Sequence, residues 1–400
     1  SARSLLDAHE RFLRALERSG RLVRSVEALP DDRALLERRR DGQALTGPEL
    51  SVLLAYAKLE TGDVVLRSDL PDDPALDDLL TGYFPTQLRT RFPAAVTAHP
   101  LRREIVATAL TNRAVNVAGV TGLFRLSQET GVPLDRVVRA HAVARAVFDV
   151  DRLWDAVGRL DNQVPAGVQV ELRTEVTRLA ERTARWLLRQ PELVAGTAPP
   201  IAAVRDRFAA PVVTVRSGLP GWLLGGEAEG YAERSSRLAD AGVPADLAAE
   251  IAAAPLLPAA LDLVVVTERS GAPVHVAGQV MQCLAERLGL VPLRELVIAL
   301  PRDRRWPSMA RASLRDDLAA EQASLAEDVL SARQDDEDPH GLVDRWVEGW
   351  DSTQARAAAQ LADIAGGERQ ELAELLVAVR TLRGLRTRRT ARRRPRPAEE

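Results

Sequence analysis

Residues 123–160 read LFRLSQETGVPLDRVVRAHAVARAVFDVDRLWDAVGRL, and residues 263–300 repeat their pattern as LVVVTERSGAPVHVAGQVMQCLAERLGLVPLRELVIAL. In each segment, a run of apolar residues at helical spacing ends at a glycine, and a second run begins after a proline. Identical residues at equivalent positions include Gly131 and Gly271, Pro133 and Pro273, Leu153 and Leu293, Val157 and Val297, and Leu160 and Leu300.

The match continues after a gap of two residues, where LRTEV (172–176) lies over LRDDL (314–318). It predicts two copies of one helical unit, at about 123–189 and 263–330. Each copy would contain a helix, a tight turn, a second helix, a short helix and a long helix. Identity is sparse, so chance similarity between amphipathic helices is the alternative.

Composition favours an all-α fold. The chain has 400 residues, of which 46% are hydrophobic, 28% are charged and 4% are aromatic. This length and polarity are typical of a globular chain with a large core and two or more subdomains. Helix-forming residues are plentiful, whereas strand-forming residues other than valine are scarce. We therefore predict a multi-helix array without a Rossmann domain.

Charge and hydropathy limit the classes of binding partner that the chain is expected to have. A formal net charge of −3 gives no general attraction to nucleic acid or to anionic membranes. No segment approaches the roughly twenty uninterrupted apolar residues of a membrane-spanning helix. We expect a cytoplasmic protein. Because the chain lacks an initiator methionine and starts directly in a helical pattern, we also expect it to be a piece of something longer.

Glycine, proline and acidic clusters divide the chain. RQPELVAGTAPP (189–200) interrupts the helical pattern most clearly, SGLPGWLLGGEAEG (217–230) is interpreted as a loop, and QDDEDPH (334–340) as a charged loop before two last helices. The predicted domains are an N-terminal helical segment, two helical subdomains and a disordered Arg-rich tail. Their bounds are 1–45, 46–190, 191–385 and 386–400.

The stretch TGPELSVLLAYAKLETGD (46–63) contains Lys58, the only lysine of the chain. Thr46 and Glu49 form a capping-box pattern that predicts the start of a helix. Gly62 predicts its end, which places Lys58 in the last turns. A cation there complements the helix dipole. A catalytic lysine needs burial or a neighbouring cation to lower its pKa, and the sequence around Lys58 indicates neither.

A search for reactive or ligand-binding patterns predicts no catalytic, cofactor-binding or metal site in this chain. The glycines of 217–230 lack the strand–turn–helix context of a dinucleotide site. Cys283 is the single cysteine, and we expect it to fill a helix face. The five histidines are scattered without i, i+4 pairs; they are His9, His99, His141, His275 and His340.

Two acidic clusters could in principle hold a hard cation, but neither has the alternating ligands and central glycine of a calcium loop. We interpret them as solvated turns and helix N-caps. They are Asp72, Asp73, Asp77 and Asp78, and Asp335, Asp336, Glu337 and Asp338.

Two features could indicate nucleic-acid binding. The segments around Gly131 and Gly271 resemble helix-turn-helix motifs. Their second helices present valine, alanine and methionine where a recognition helix needs polar and basic side chains, so core packing is the preferred interpretation. The tail TLRGLRTRRTARRRPRPAEE (381–400) could contact phosphate, or it could be a disordered solubilising tail.

The ordered motifs of the chain resemble the C-terminal helical region of the large bacterial NAD-specific glutamate dehydrogenases. The resemblance covers about residues 5–385. It is carried by LTGPELSVLLAYAK, SDLPDDPALDDLLTGYFPTQLRTRF, HPLRREIVATALTNRAVNVAG, LDNQVPAGVQ, ERTARWLLR, LAERLGL and RDRRWPSMARASLRDDL.

The resemblance implies a non-catalytic C-terminal domain that supports assembly or regulation. Its parent enzyme would oxidise L-glutamate to 2-oxoglutarate and ammonia with NAD, which would bind elsewhere in the polypeptide. The implied partners are the upstream catalytic domain of the same polypeptide and further copies in a homo-oligomer. None of the family's catalytic or nucleotide-binding motifs falls on a residue here. The alternative is an independent helical module that binds protein or nucleic acid.

Overall fold

The structure is a computed structural model that describes residues 2–194, 198–223, 225–301, 305–333, 338–367 and 371–386. Within these ranges the chain is almost entirely helical and contains no β-strand. The all-α prediction is therefore confirmed. The tail predicted to be disordered from residue 386 lies outside the described residues, apart from Arg386 itself.

Capping residues precede two of the N-terminal helices. Asp31 accepts a hydrogen bond from the backbone N–H of Ala34, and Thr46 and Glu49 form a capping box. Two 3-10 turns, Leu70–Asp72 and Pro74–Leu76, follow the third helix. The helices are α1 (Ala2–Arg18), α2 (Asp32–Arg40), α3 (Gly47–Arg67), α4 (Asp77–Tyr83), α5 (Thr86–Arg91), α6 (Pro93–Thr97) and α7 (Arg102–Ala118).

A further series of helices forms the middle of the chain. These helices are α8 (Gly122–Thr130), α9 (Leu134–Val147), α10 (Val150–Gly158), α11 (Ala166–Leu188), α12 (Pro191–Val194), α13 (Ile201–Trp222), α14 (Gly225–Asp240) and α15 (Ala245–Ala253). The remaining helices are α16 (Pro258–Ser270), α17 (Val274–Arg287), α18 (Leu290–Ala299), α19 (Arg305–Ser331), α20 (Pro339–Glu348), α21 (Ser352–Gly366) and α22 (Leu372–Gly384).

The two predicted copies contain the same succession of helices, α8 to α11 and α16 to α19. Gly131 and Gly271 both adopt a left-handed conformation, with φ of 71° and 68°. The prolines two residues later have nearly the same backbone angles, with φ of −56° and −57°. This geometry ends one helix and starts the next. The order of helices and the equivalence of the two turns are therefore confirmed.

The buried residues also correspond between the copies. In α10 they are Val150, Leu153 and Val157, and in α18 they are Leu290, Leu293 and Val297. In the long helices the correspondence requires the two-residue gap. In α11 the buried residues include Leu172, Val176, Ala184, Leu187 and Leu188, and at the equivalent positions of α19 they are Leu314, Leu318, Ala326, Val329 and Leu330.

The chain divides into two compact units. The first contains most of the chain up to Leu261, and the second contains Asp262–Pro301 and the chain from Trp306 onward. The sequence-based boundaries at residues 45, 190 and 385 stay a prediction.

In the first unit, α9 occupies the core and packs along α11, while α3 and α4 pack against α7. Arginine–carboxylate pairs tie the outer helices to this core. Glu250 of α15 binds both Arg152 of α10 and Arg216 of α13, and Arg237 of α14 binds Glu171 of α11. The helices are thus joined by apolar packing inside and by charge pairs at the surface.

In the second unit, α17 packs against α20, α18 against α21, and α21 against α22. The side chain of Gln322 on α19 donates to the carbonyl of Met281 at 2.7 Å and accepts from Arg294 of α18. Glu321 pairs with Arg383 of α22 at 2.7 Å. The long helix is therefore fixed to its neighbours by buried polar contacts as well as by leucines.

Three expectations about secondary structure were wrong. Helix α3 continues past Gly62 to Arg67, so Lys58 lies mid-helix and Arg67 provides the cation of the last turn. Residues 217–230 are mostly helical, since α13 ends at Trp222 and α14 begins at Gly225. Ser217 and Gly218 stay in α13 because they lie between Val215 and Leu219, two residues of a buried stripe that also contains Phe208 and Val212.

Three helices, not two, follow Asp338 among the described residues, and the first begins at Pro339, inside the segment interpreted as a charged loop. Asp351 and Gln354 form a capping box that separates α21 from α20. The helical spacing of Leu372, Leu375, Leu376, Val379 and Leu382 predicts one buried stripe. In α22, Leu375, Val379 and Leu382 are buried, whereas Leu372 and Leu376 are exposed.

The role of the turn glycine can be tested by comparing its substitution with that of a glycine inside a helix. No atom lies within 4 Å of a methyl group added at Gly131 or at Gly230 of α14, so both substitutions by alanine report on backbone conformation alone. We expect Gly131→Ala to lower the free energy of unfolding by about 1 kcal/mol, and Gly230→Ala to raise it by up to about 1 kcal/mol. Urea denaturation followed by circular dichroism measures both. Equal effects of the two substitutions would contradict the role assigned to the turn.

Candidate functional site

Lys58 lies in the middle of α3 and is half-buried. Nearby, a Cβ added to Gly62 would lie 3.7 Å from the Thr111 hydroxyl oxygen, so this glycine faces α7 instead of ending α3. Among the described residues, no carboxylate is within ion-pair distance of Lys58. The position gives the lysine no contact with the helix terminus, and the interpretation as a dipole-complementing cation is wrong.

The acidic turn after α3 is bound by arginines. Asp72 pairs with Arg103, Asp77 with Arg102 and Asp78 with Arg113, all from α7. Their carboxylates are thus matched by cations of the same chain, which leaves no excess of negative charge to attract a metal ion.

Asp73 caps a 3-10 turn, as expected, but it is buried and not solvated. Its two oxygens accept hydrogen bonds from the backbone N–H groups of Ala75 and Ile201, at 3.0 Å each. The buried guanidinium of Arg139 lies 3.6 Å away and donates to the carbonyl of Pro199. This cluster attaches residues 199–201 to α9. In the second acidic cluster, Asp338 caps α20, and Asp335, Asp336 and Glu337 lie outside the described residues.

The histidines occupy different environments. His9 and His141 are buried, His99 packs against Phe84, and His275 is exposed. Across the described ranges, no group of three or more His, Cys, Asp or Glu side chains is arranged to hold a metal ion.

His141 and Arg145 are buried on α9. Burial and the nearby Arg145 cation lower the pKa of His141 to about 3. Burial and Arg113 lower the pKa of Arg145 to about 10, and this arginine pairs with Asp151 and donates to the carbonyl of Arg113. At neutral pH the core of the first unit therefore holds a neutral histidine beside a paired arginine.

The side chains of Cys283 and His340 form the only Cys–His contact among the described residues. The sulfur of Cys283 lies 3.4 Å from Nδ1 of His340, beside a pocket of about 290 Å³ that Glu286, Arg287, Val343 and Asp344 also line. A Cys–His pair can generate a nucleophilic thiolate. Here burial, followed by the charges of Glu286 and Asp338, raises the pKa of Cys283 to about 11. The thiol is therefore protonated and inert near neutral pH.

The helix-turn-helix interpretation fails on burial, as the core-packing interpretation predicts. Val137, Val138, Ala142 and Val143 are buried on α9, and so are its polar residues Arg139, His141 and Arg145. On α17, Ala277 and Val280 are buried, while Val276 and Met281 are half-buried. Neither helix presents the basic face that a recognition helix inserts into a DNA groove.

No single helix within the described ranges is both long and apolar enough to cross a bilayer. Among the described helices, only α15 and α16 are long and apolar enough when taken as a pair, and the pair is bent by 70°. Most of their apolar side chains are buried.

The family model for the C-terminal part of glutamate dehydrogenase matches residues 42–384. The chain belongs to this family. It is 33% identical over 381 residues to an NAD-specific glutamate dehydrogenase of Halomonas elongata, 34% over 385 residues to one of Mycobacterium tuberculosis, and 31% over 384 residues to one of Pseudomonas aeruginosa. These matches cover at least 95% of this chain. This glutamate dehydrogenase C-terminal region spans only 23–24% of the length of those relatives.

The family resemblance inferred from the sequence is confirmed, but several contacts of this glutamate dehydrogenase region had no signal in the sequence. Cys283 and His340 are 57 residues apart, on α17 and α20. The burial of Arg139 and Arg145 was also missed, because charged residues within a helix usually indicate its solvent-facing side. Both arginines pair with acidic residues that are separated from them in sequence or lie on another helix.

The reactivity of Cys283 can be measured directly, because the chain contains no other cysteine. With a pKa of about 11 instead of 9.0, the thiolate population near neutral pH falls about 100-fold. We expect iodoacetamide to label the folded chain about 100-fold more slowly than the urea-unfolded chain, as measured by mass spectrometry. Equal labelling rates would show that burial does not suppress the reactivity of the thiol.

The buried His141 should make the first unit sensitive to mild acid. The unfolded chain takes up a proton on this histidine below about pH 6.5, whereas the folded chain takes it up only near pH 3. Stability should therefore fall as the pH decreases below 6.5, by at most about 1.4 kcal/mol per pH unit.

His141→Met should remove this contribution, since Met281 occupies the equivalent position of the second copy. His275→Met is the matched control, because His275 is exposed. Urea denaturation between pH 7 and pH 5.5 measures how the stability of each variant depends on pH. If the His141→Met chain kept the full pH dependence of the unmodified chain, another group would be responsible.

Proposed function

We propose that this chain is a non-catalytic C-terminal helical domain of an NAD-dependent glutamate dehydrogenase. The parent enzyme would convert L-glutamate, NAD and water into 2-oxoglutarate, ammonia and NADH. The observation that carries this proposal is the match of 95% of the chain to about a quarter of each NAD-specific glutamate dehydrogenase. The domain would support assembly or regulation of that enzyme.

Chemistry supports assigning catalysis to another part of the polypeptide. A dinucleotide is bound by a strand, a glycine-rich turn and a helix N-terminus, whose backbone N–H groups hold the pyrophosphate. The described residues contain no strand, and Gly218 and Gly226 lie within helices. The described residues therefore do not offer NAD this kind of binding site. The buried, protonated Cys283 does not fit a nucleophile either.

The proposed partners are the upstream catalytic domain of the same polypeptide and further copies of the parent in a homo-oligomer. The proposed setting is cytoplasmic amino-acid catabolism. Burial of the polar residues of α9 argues against the alternative of a nucleic-acid-binding module, since those residues would have to reach the bases.

The proposal predicts that the 400-residue chain neither binds NAD nor oxidises glutamate. Calorimetric titration with NAD should give no saturable heat, because no phosphate-binding turn is present among the described residues. The longer polypeptide, titrated in the same way, is the positive control. Saturable binding of NAD to the 400-residue chain in the micromolar range would refute the assignment.

A further inference from the structure

Residues 83–101, YFPTQLRTRFPAAVTAHPL, form an apolar surface on the first unit, which we call the α5–α6 surface. It connects α4 to α7 through two short helices. Its large side chains are unusually exposed, at 62% for Tyr83, 45% for Leu88, 48% for Phe92 and 54% for Leu101. Clustered aromatic and aliphatic side chains at a surface indicate a protein interface.

Little of the protein's own core holds this surface in place. Helix α5 has six residues and none of them is buried, and α6 has five residues of which only Val96 is buried. Phe84 packs on the ring of His99 at 5.4 Å between centroids, and Nδ1 of His99 accepts from the backbone N–H of Leu101. Helices this short are marginal by themselves, so an additional packing surface would stabilise them.

The α5–α6 surface is positive. The sequence contains no aspartate or glutamate between Asp78 and Glu104. Arg89 donates to the hydroxyl oxygen of Thr86, and the guanidinium of Arg91 lies 5.3 Å from the ring centroid of Phe92. Neither arginine forms an ion pair with a described carboxylate, in contrast to Arg102 and Arg103 at the start of α7. A complementary partner would have an apolar centre and an acidic edge.

We infer that the α5–α6 surface docks on the remainder of the same polypeptide, against a region with an apolar centre and an acidic edge. This inference rests on the proposed function, and it specifies where the C-terminal region contacts its parent. Because the match covers 23% of the first relative, about three-quarters of a polypeptide of that length is available as this partner. It is also present at a fixed one-to-one ratio, which a separate protein is not.

A membrane or a nucleic acid would fit the α5–α6 surface less well. Helices that bind in a membrane interface combine an extensive apolar face with a polar face rich in lysine and arginine, whereas α5 and α6 have six and five residues and two arginines between them. Nucleic acid would require a row of cations along phosphates, and this surface offers Arg89 and Arg91 without an ion-pair partner.

The test uses the full-length polypeptide with photo-reactive benzoylphenylalanine in place of Phe92. After irradiation, mass spectrometry identifies the cross-linked peptides. Protein assembled from isotopically labelled and unlabelled chains distinguishes contacts within one polypeptide from contacts between copies. We expect cross-links from position 92 to an acidic segment that precedes the 400 residues. The same probe at Val170, an exposed residue of α11, is the control and should give no such cross-link.

A charge variant tests complementarity in the same experiment. Arg91→Glu should lower the cross-link yield by at least about fivefold, whereas Arg91→Lys should retain most of it. Both side chains replace an exposed residue, so neither substitution is expected to unfold the domain. Equal yields in these two variants would refute the predicted acidic edge.

Cross-links only to the equivalent 400 residues of another copy, only to co-purified lipid or nucleic acid, or to nothing would overturn the inference. Glutamate oxidation is measured on the same preparation. An active enzyme without the expected cross-link refutes docking alone. A full-length polypeptide that does not oxidise glutamate refutes the proposed function instead.

Discussion

The left-handed turn between paired helices is the constraint on which the repeated unit depends. At Gly131 and Gly271 one helix ends and the next begins within three residues, and a residue with a side chain adopts this backbone conformation at a cost of about 1 kcal/mol. Proline then fixes the entry of the next helix. This turn brings the stripes of α8 and α9 together, as their contacts show. The packing of α10 and α11 follows from the direction in which α9 leaves the turn.

The next turn of each copy is also left-handed, but packing decides which residue occupies it. Gly289 has a φ of 63°, and a Cβ added there would lie 3.4 Å from Ala365 of α21. Asp149 adopts a φ of 47° at the equivalent position, where its carboxylate is exposed and accepts from Arg152 at 3.1 Å. Glycine is therefore present where another helix approaches, and aspartate where the surface is open.

The sequence predicted most of this fold because helix boundaries depend on local chemistry. Caps such as Asp31 and Thr46, and turns such as Gly131, act within four residues, and their helices begin and end where those residues indicate. The failures have a common cause. Gly62, Ser217 and Gly218 have weak helix propensity, and their helices continue because buried residues on both sides pack against other helices. Such packing involves residues that are distant in sequence, and local patterns do not report it.

Candidate sites were harder to predict, because chemistry depends on the environment of each side chain. Cys283 and His340 have the identities of a reactive pair, but burial and nearby carboxylates raise the thiol pKa to about 11. A site belonging to the helical unit itself would be expected in both copies. The first copy has Val143 at the position of Cys283. The buried Arg139, His141 and Arg145 of the first copy correspond to Gln279, Met281 and Ala285 in the second. The copies thus share their turns and apolar stripes while their polar residues differ. What the two copies have in common is therefore their packing, as expected if the chain serves as the non-catalytic domain proposed above.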